Sequence, residues 1–200
     1  SVRQNNNRYE IRATTLRSAE IFFNTVSVTG TETLMMAAVL ARGTTVLKNC
    51  ACEPEIVSLA NFLLSCGADI RGAGTSTISI TGVRRLSGGI HKVIPDRIEA
   101  GSFAILAAAT QSNVTLTHCA PNHLESLWNI FSRMGIKVKI GKNRVRIMST
   151  TRISAVNIKT HEYPGFPTDL QAPMCVLLTQ AEGASLVHEI IYEGRLYWTE

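Results

Sequence analysis

The sequence has no long apolar run, no tract of basic residues and few charged side chains. No apolar run in its 200 residues reaches the roughly 18 that a membrane-spanning helix needs, which argues against a transmembrane protein. Charged residues make up 18% and hydrophobic residues 45%, so a packed core is expected and a disordered chain is not. The net charge of +5 is spread over scattered lysines and arginines, as on an ordinary solvated surface. Without clustered basic residues or exposed aromatics among them, nucleic acid is not an expected partner.

The sequence also lacks a starting methionine, a secretory signal and an even number of cysteines. It begins at Ser1 without a charged segment and a following apolar stretch, and it ends without a helix stop or a polar tail. We therefore expect an internal fragment of a longer chain. The odd count of five cysteines favours free thiols in a reducing compartment. Buried or inert thiols are expected at all five positions: Cys50, Cys52, Cys66, Cys119 and Cys175.

Metal-binding patterns are weak. Cys50-x-Cys52 has no second pair at zinc spacing. His118, Cys119 and His123 lie close in the sequence but form no regular ligand set. The sequence therefore predicts neither a metal site nor another cofactor.

An internal repeat organises the chain. Residues 44–70 and 112–138 share an apolar strand-like run, a cysteine, a proline that can begin a helix, and apolar residues at helical spacing. Gly67 and Gly135 close the two helices at a period of 68 residues. A period of this size is typical of repeated supersecondary units that share a core.

Three Ala-rich helices accompany the repeat. They are predicted at residues 34–40, 103–109 and 170–178, and a strand-like segment at 184–187 follows the third. Capping-box patterns precede them, at Thr29-x-x-Glu32, Asp96-x-x-Glu99 and Thr168-x-x-Gln171. Helix N-termini attract anions, so three such ends could converge on one polyanionic ligand, although most caps serve only to begin a helix.

The segment from residue 165 to 172, GFPTDLQA, is the sharpest candidate for chemistry. Its Gly-aromatic-Pro turn brings Asp169 into the first turn of a helix, where the dipole favours an ionised carboxylate. Such a carboxylate can act as a general base. An aspartate in a first turn is more often structural, so the pattern alone leaves both interpretations open.

Six motifs follow one another along the chain. They are residues 26–32 (VSVTGTE), 34–38 (LMMAA), 53–57 (EPEIV), 72–75 (GAGT), 95–101 (PDRIEAG) and 166–172 (FPTDLQA). In this order they closely resemble the UDP-N-acetylglucosamine enolpyruvyl transferases, also called 1-carboxyvinyltransferases. The resemblance covers essentially the whole chain, but only about the middle half of such an enzyme.

The resemblance implies an α/β fold of repeated β-α-β-α-β-β units. In this family two domains of three units each form an inside-out α/β barrel, with helices inside and sheets outside. Residues 1–84 match the last repeat unit of the first domain, and residues 85–94 match the connection between domains. Residues 95–200 match the first and part of the second repeat unit of the second domain. Both domains are therefore expected to be incomplete in this chain.

The resemblance also implies an activity. The family moves the enolpyruvyl group of phosphoenolpyruvate to the 3-hydroxyl of UDP-N-acetylglucosamine and releases phosphate. This is the first committed step of peptidoglycan synthesis, in the bacterial cytoplasm, and it needs no metal. The expected partners are the two substrates, with no nucleic acid and no membrane. Two alternatives stay open: a relative that acts on shikimate 3-phosphate, and a non-catalytic anion- or nucleic-acid-binding protein built from the same repeat.

Site residues follow from the resemblance by motif. Asp169 matches the aspartate that contacts the sugar 3-hydroxyl and is its expected base. Ile191 matches a backbone contact to the nucleotide sugar. Asp96 and Arg97 match a signature that we interpret as domain closure and structure. The loop that binds the nucleotide diphosphate is matched by four residues: Thr25, Val26, Ser27 and Val28.

Parts of the family's machinery are absent from this sequence. The reactive-cysteine loop would lie upstream of Ser1. The Lys-Asn pair near the amino end of the family's enzymes and most of their phosphate-binding arginines are absent as well. None of the five cysteines present matches the reactive one. We therefore expect the 200 residues alone to be inactive.

Overall fold

Two separate hydrophobic cores form in the computed structural model, which describes residues 2–6 and 8–200. They belong to two units, Ser1–Lys92 and Val93–Glu200. The border between the units falls inside the connection predicted at residues 85–94. Assigning the units to two incomplete enolpyruvyl transferase domains stays a prediction.

The first unit contains one complete β-α-β-α-β-β succession behind an amino-terminal hairpin. The hairpin pairs β1 (Val2–Asn5) with β2 (Arg8–Ile11). The succession then runs through β3 (Glu20–Phe22), α1 (Val28–Ala38), β4 (Thr44–Lys48), α2 (Pro54–Ser65), β5 (Asp69–Arg71) and β6 (Thr77–Thr81). The strand order is β3-β4-β6-β5, with β3 parallel to β4 and the other pairs antiparallel. The predicted β-α-β-α-β-β order is therefore confirmed in this unit.

The sheet register of the first unit turns one row of side chains inward. Thr45 pairs with Ile80 and Leu47 pairs with Ile78, and all four side chains are buried. Alternate residues of a strand face opposite sides, so this row forms the face that the helices cover. Both helices contribute to the same core.

The second unit repeats part of this order. It contains α3 (Arg97–Ala109), β7 (Val114–Thr117), α4 (Glu125–Met134), β8 (Val138–Ile140), β9 (Arg144–Ile147), β10 (Ile158–Lys159), α5 (Gln171–Leu178) and β11 (Val187–His188). The sheet order is β7-β9-β8, all antiparallel, while β10 and β11 form a separate parallel pair. Residues 93–96 form no strand, so the first repeat here begins at its helix.

Helices α2 and α4 end at the predicted glycines, Gly67 and Gly135. Gly135 caps α4 in the left-handed conformation at φ 82°, and Gly67 follows the cap of α2 at φ 95°. Residues without a side chain adopt this conformation at little cost, which is why glycine ends both helices.

Two of the three predicted capping boxes are wrong. Helix α1 is capped by Ser27 rather than Thr29, because the Ser27 hydroxyl accepts from Gly30 N at 3.0 Å. Thr168 lies inside a 3₁₀ turn, Thr168–Leu170, that precedes α5, and its hydroxyl bonds elsewhere. Asp96 is confirmed as the cap of α3, accepting from Ile98 N and Glu99 N. The third strand-like segment is shorter and later than predicted, since only Val187–His188 pairs.

Candidate functional site

Buried neighbours hold Asp169 at the surface of the second unit. Phe166 and Leu170 are buried on either side of it, whereas the Asp169 side chain is 53% exposed. The peptide bond between Tyr163 and Pro164 is cis and lies just before this segment. The turn is therefore anchored by its apolar residues and presents its carboxylate to solvent.

Helix α3 approaches this turn at a glycine. A Cβ atom built on Gly101 would lie 2.6 Å from Cδ1 of Leu170. Leu170 is fully buried, so its side chain could shift only within a packed core. A side chain at position 101 would force Leu170 to shift inside the core, so this close approach favours glycine.

The carboxylate of Glu189 joins three segments beside Asp169. Its Oε2 accepts from the Thr168 hydroxyl at 2.8 Å. Its Oε1 accepts from the Thr160 hydroxyl at 2.9 Å, from Ile191 N at 2.8 Å and from Tyr192 N at 3.2 Å. One side chain therefore links the end of β10, the turn that carries Asp169 and the backbone after β11.

These hydrogen bonds decide the charge of Glu189. Burial by itself raises the pKa of a carboxyl group, but the bonds from Thr168, Ile191, Thr160 and Tyr192 outweigh it and lower the pKa of Glu189 below its usual value. The group is therefore a carboxylate at neutral pH, and its four bonds are charge-assisted.

A cation pairs with the exposed carboxylate. Arg195 Nη2 donates to Asp169 Oδ1 at 2.6 Å. The same guanidinium lies over the ring of Tyr192, 5.2 Å from its centroid. Arg195 is thus held from two sides, and it orients one oxygen of Asp169.

The predicted nucleotide loop lies in the first unit and is described by itself. Ser27 caps α1, and Thr25, Val26 and Val28 flank it, with Thr25 exposed and the others half-buried. The first N–H groups of an α-helix have no partner within the helix, and they carry its positive end. Ser27 takes the N–H of Gly30 with its hydroxyl and that of Thr31 with its carbonyl, so the N–H groups of Val28 and Thr29 are the candidate donors to an anion.

The buried Thr31 bonds this loop to the segment after β4. The Thr31 hydroxyl donates to the carbonyl of Ser27 at 2.7 Å and accepts from Ala51 N at 3.1 Å. The side chain of Asn49 donates to the carbonyl of Phe23 at 2.8 Å, at the start of the same loop. The conformation of the loop is therefore set by residues that follow β4.

Asp96 and Arg97 make local structural contacts in the second unit. Asp96 is the cap of α3, and the guanidinium of Arg97 lies 5.7 Å from the ring centroid of Tyr163. Both contacts lie within the second unit. Domain closure stays a prediction.

The five cysteines carry free thiols of low reactivity. All five cysteines are free, and Cys50, Cys66 and Cys119 are buried. Burial raises the pKa of the thiols of Cys50, Cys52, Cys119 and Cys175, which makes them poor nucleophiles at neutral pH.

Within residues 2–6 and 8–200, no three His, Cys, Asp or Glu side chains come together in a way that would hold a metal ion. Across the same residues, no helix combines the length and apolar character that crossing a membrane requires.

The structure brings two of the predicted residues together and adds three that sequence reasoning missed. The two are Asp169 and Ile191. Thr168, which precedes Asp169, bonds to Oε2 of Glu189, and the backbone N–H of Ile191 bonds to Oε1. Thr160, Glu189 and Arg195 were not predicted. The available signal was the short spacing between Glu189, Ile191 and Arg195, but no spacing rule links them to a turn 20 or more residues earlier.

Comparisons with known proteins agree with this architecture. A family model described as EPSP synthase (3-phosphoshikimate 1-carboxyvinyltransferase) matches residues 1–199. The enolpyruvyl transferase NikO from Streptomyces tendae superposes with a TM-score of 0.90 at 21% identity, covering 100% of this chain and 50% of that one. An EPSP synthase from Acinetobacter baumannii superposes with a TM-score of 0.55 at 21% identity, covering 86% of this chain and 40% of that one. The fold is therefore that of the enolpyruvyl transferases, as expected from the sequence.

Curated relatives are nearer in sequence. A protein of Acidobacterium capsulatum is 49% identical over 93% of this chain and 43% of its own length. One of Solibacter usitatus is 50% identical over 90% of this chain and 43% of its own length. Both are named UDP-N-acetylglucosamine 1-carboxyvinyltransferase, and a Staphylococcus aureus protein with that name and the number 2 is 49% identical over 96% of this chain and 46% of its own length.

The chain belongs to the EPSP synthase family of enolpyruvyl transferases. Its relatives within that family are the UDP-N-acetylglucosamine 1-carboxyvinyltransferases, which confirms the resemblance found in the sequence. The chain spans less than half the length of these curated relatives.

Proposed function

We propose that the protein containing this chain transfers the enolpyruvyl group of phosphoenolpyruvate to the 3-hydroxyl of UDP-N-acetylglucosamine. The names of relatives at 46–50% identity support this acceptor over shikimate 3-phosphate. The observation that carries the proposal is the exposed carboxylate of Asp169, oriented by Arg195 beside a backbone segment that Glu189 holds in place. The reaction belongs to peptidoglycan synthesis, and we place it in the bacterial cytoplasm.

The proposed role of Asp169 is that of a general base. Its free Oδ2 accepts the proton of the sugar 3-hydroxyl, and the hydroxyl oxygen bonds to C2 of phosphoenolpyruvate. As that bond forms, C3 of phosphoenolpyruvate takes up a proton from solvent and the C2–C3 double bond becomes a single bond. C3 then returns a proton to solvent, which restores the double bond as the bond between C2 and the phosphate oxygen breaks and phosphate leaves. A positioned base contributes about 10²–10⁴ in rate.

The proposed nucleotide contacts come from two places. The loop of Thr25, Val26, Ser27 and Val28 offers backbone N–H groups to the diphosphate at the positive end of α1. Ile191 offers its backbone to the nucleotide sugar. Asp96 and Arg97 support closure of the two domains, which would exclude water from the reaction. No step requires a metal or a cofactor.

Phosphate release tests the proposal. The complete protein, expressed from its whole reading frame, is incubated with phosphoenolpyruvate and either UDP-N-acetylglucosamine or shikimate 3-phosphate. We expect phosphate release only when phosphoenolpyruvate and UDP-N-acetylglucosamine are both present. Release with shikimate 3-phosphate instead would establish the alternative acceptor, and no release with either would favour a non-catalytic binding protein. The 200-residue chain assayed alone is expected to release none.

A further inference from the structure

We propose that Glu189 is a positioning residue for this reaction: its carboxylate fixes the turn that carries Asp169 relative to the backbone at Ile191. The proposal rests on the proposed function, since it assigns these two places to one substrate. It adds a residue that neither the sequence motifs nor the pairing of Asp169 with Arg195 indicates.

The division of bonds between the two oxygens supports this role. Oε2 is bonded to the hydroxyl of Thr168, the residue immediately before Asp169. Oε1 is bonded to the N–H groups of Ile191 and Tyr192. The two proposed substrate-contacting segments are therefore tied to opposite ends of one rigid, planar group.

A third contact holds Glu189 itself. Thr160 is fully buried, and its hydroxyl donates to Oε1 while accepting from Ile190 N at 3.0 Å. A threonine hydroxyl has one donor and two acceptor positions, and this geometry uses the donor on the carboxylate. The carboxylate is thus oriented from the end of β10, and it in turn orients the two segments.

Four donors on one side chain specify a carboxylate. Oε1 alone accepts three of these bonds, and its negative charge makes each of them stronger than a bond to a neutral amide oxygen. In a Glu189→Gln variant the amide oxygen faces three donors, and the amide nitrogen faces Thr168, whose hydroxyl can rotate to accept. The variant therefore keeps the shape and the Thr168 contact but loosens the backbone of Ile191 and Tyr192.

The experiment compares Glu189→Gln and Thr168→Val in the complete protein, with Glu182→Gln as the matched control. Glu182 is an exposed glutamate of the same unit, 3.6 Å from Arg152 in a surface ion pair. The measurements are kcat, KM for each substrate, the Kd of UDP-N-acetylglucosamine by calorimetry, and the melting temperature.

The expected results separate the two ends of the carboxylate. Thr168→Val frees only the turn, so kcat falls by about 10-fold or more while the Kd of the nucleotide changes little. Glu189→Gln frees the Ile191 backbone, so the Kd of the nucleotide rises by about 10-fold and kcat falls as well. Glu182→Gln matches the wild type in every measurement.

A purely structural network would give a different pattern. Both variants would then lower the melting temperature while kcat and Kd, measured well below that temperature, stayed at wild-type values, and this result would overturn the proposal. A wild-type protein that releases no phosphate overturns the proposed function instead. An active wild type with a Glu189→Gln variant that matches it refutes the role of Glu189 alone.

Discussion

Arg195 and Asp169 form an ion pair across 26 residues of sequence, with Nη2 of one 2.6 Å from Oδ1 of the other. The pair occupies one oxygen of the proposed base, and no other described donor contacts the second. A carboxylate arranged in this way has a defined free oxygen for the substrate hydroxyl. Through this pair, the segment after β11 that carries Arg195 orients the proposed base.

The first prediction concerns the base itself. Asp169→Asn keeps the size of the side chain and removes its ability to take a proton, so turnover falls by about 10² or more. The Kd of UDP-N-acetylglucosamine stays near the wild-type value, because the backbone contacts are unchanged. Steady-state kinetics and calorimetry on the complete protein measure both. Unchanged turnover would remove Asp169 as the base.

The second prediction concerns the cation. Arg195→Lys keeps the charge but loses the planar fork that bonds Asp169 while lying over Tyr192. We expect kcat to fall by about 10-fold, the scale of a misplaced catalytic group. Arg152→Lys, at an exposed ion pair of the same unit, is the control and keeps wild-type kcat. Equal activity of the two variants would contradict an orienting role for Arg195.

The third prediction concerns the cap of α1. Ser27→Ala removes the acceptor of Gly30 N and costs about 1 kcal/mol of stability, whereas Ser27→Gly costs only a few tenths. Thermal unfolding shows which of the two variants is less stable, and we expect it to be Ser27→Ala. If the proposed diphosphate contact uses backbone N–H groups, Ser27→Gly binds UDP-N-acetylglucosamine as the wild type does. A large loss of affinity in Ser27→Gly would show that the hydroxyl itself contacts the ligand.

The fourth prediction concerns helix packing. Gly101→Ala places a methyl group 2.6 Å from the buried Leu170 side chain, and overpacking of this kind costs about 1–3 kcal/mol. In a helix interior alanine is normally more stabilising than glycine. A loss of stability in this variant would therefore report the steric clash alone. Gly88→Ala is the control, because its Cβ would meet nothing within 4 Å. A Gly101→Ala variant as stable as the wild type would refute the close approach.

The fifth prediction concerns pH. Burial, with the nearby charges of Glu55 and Glu53, raises the pKa of Glu32 above its usual 4.5. A folded-state pKa above the unfolded one means that the folded protein binds the proton more tightly, so this group lowers stability as pH rises through that range. Glu32→Gln should therefore melt higher than the wild type at pH 7, and the gap should close below pH 4. A constant gap at all pH values would contradict the sign.

Much of the fold was predictable because it depends on local patterns. Helix α2 is an example. Its start at Pro54, the helical spacing of Ile56 and Leu63, and its end before Gly67 each depend on residues close together in the sequence. The same holds for Asp96, whose side chain reaches N–H groups two and three residues ahead. The repeat then made the same patterns recognisable a second time.

The failed capping boxes show where local rules stop. Ser27 and Thr29 are both acceptable caps by type. The Thr31 hydroxyl favours Ser27, because it donates to the Ser27 carbonyl and is itself held by Ala51 N. Thr168 fits its box equally well, but its hydroxyl bonds to Glu189, 21 residues later. A charge-assisted bond to a carboxylate is about twice as strong as a neutral one, so the distant partner wins.

The sequence by itself determined the repeat, the order of its elements, the family and the choice of Asp169 as the candidate base, since each of these follows from residue types at short spacing. Only the tertiary structure decided what holds that aspartate. Thr160, Glu189 and Arg195 come from separate segments, and the chain must fold before their side chains meet around the turn. Hydrogen bonds and ion pairs act over about 3 Å, so a site built from them depends on distances that sequence separation does not contain.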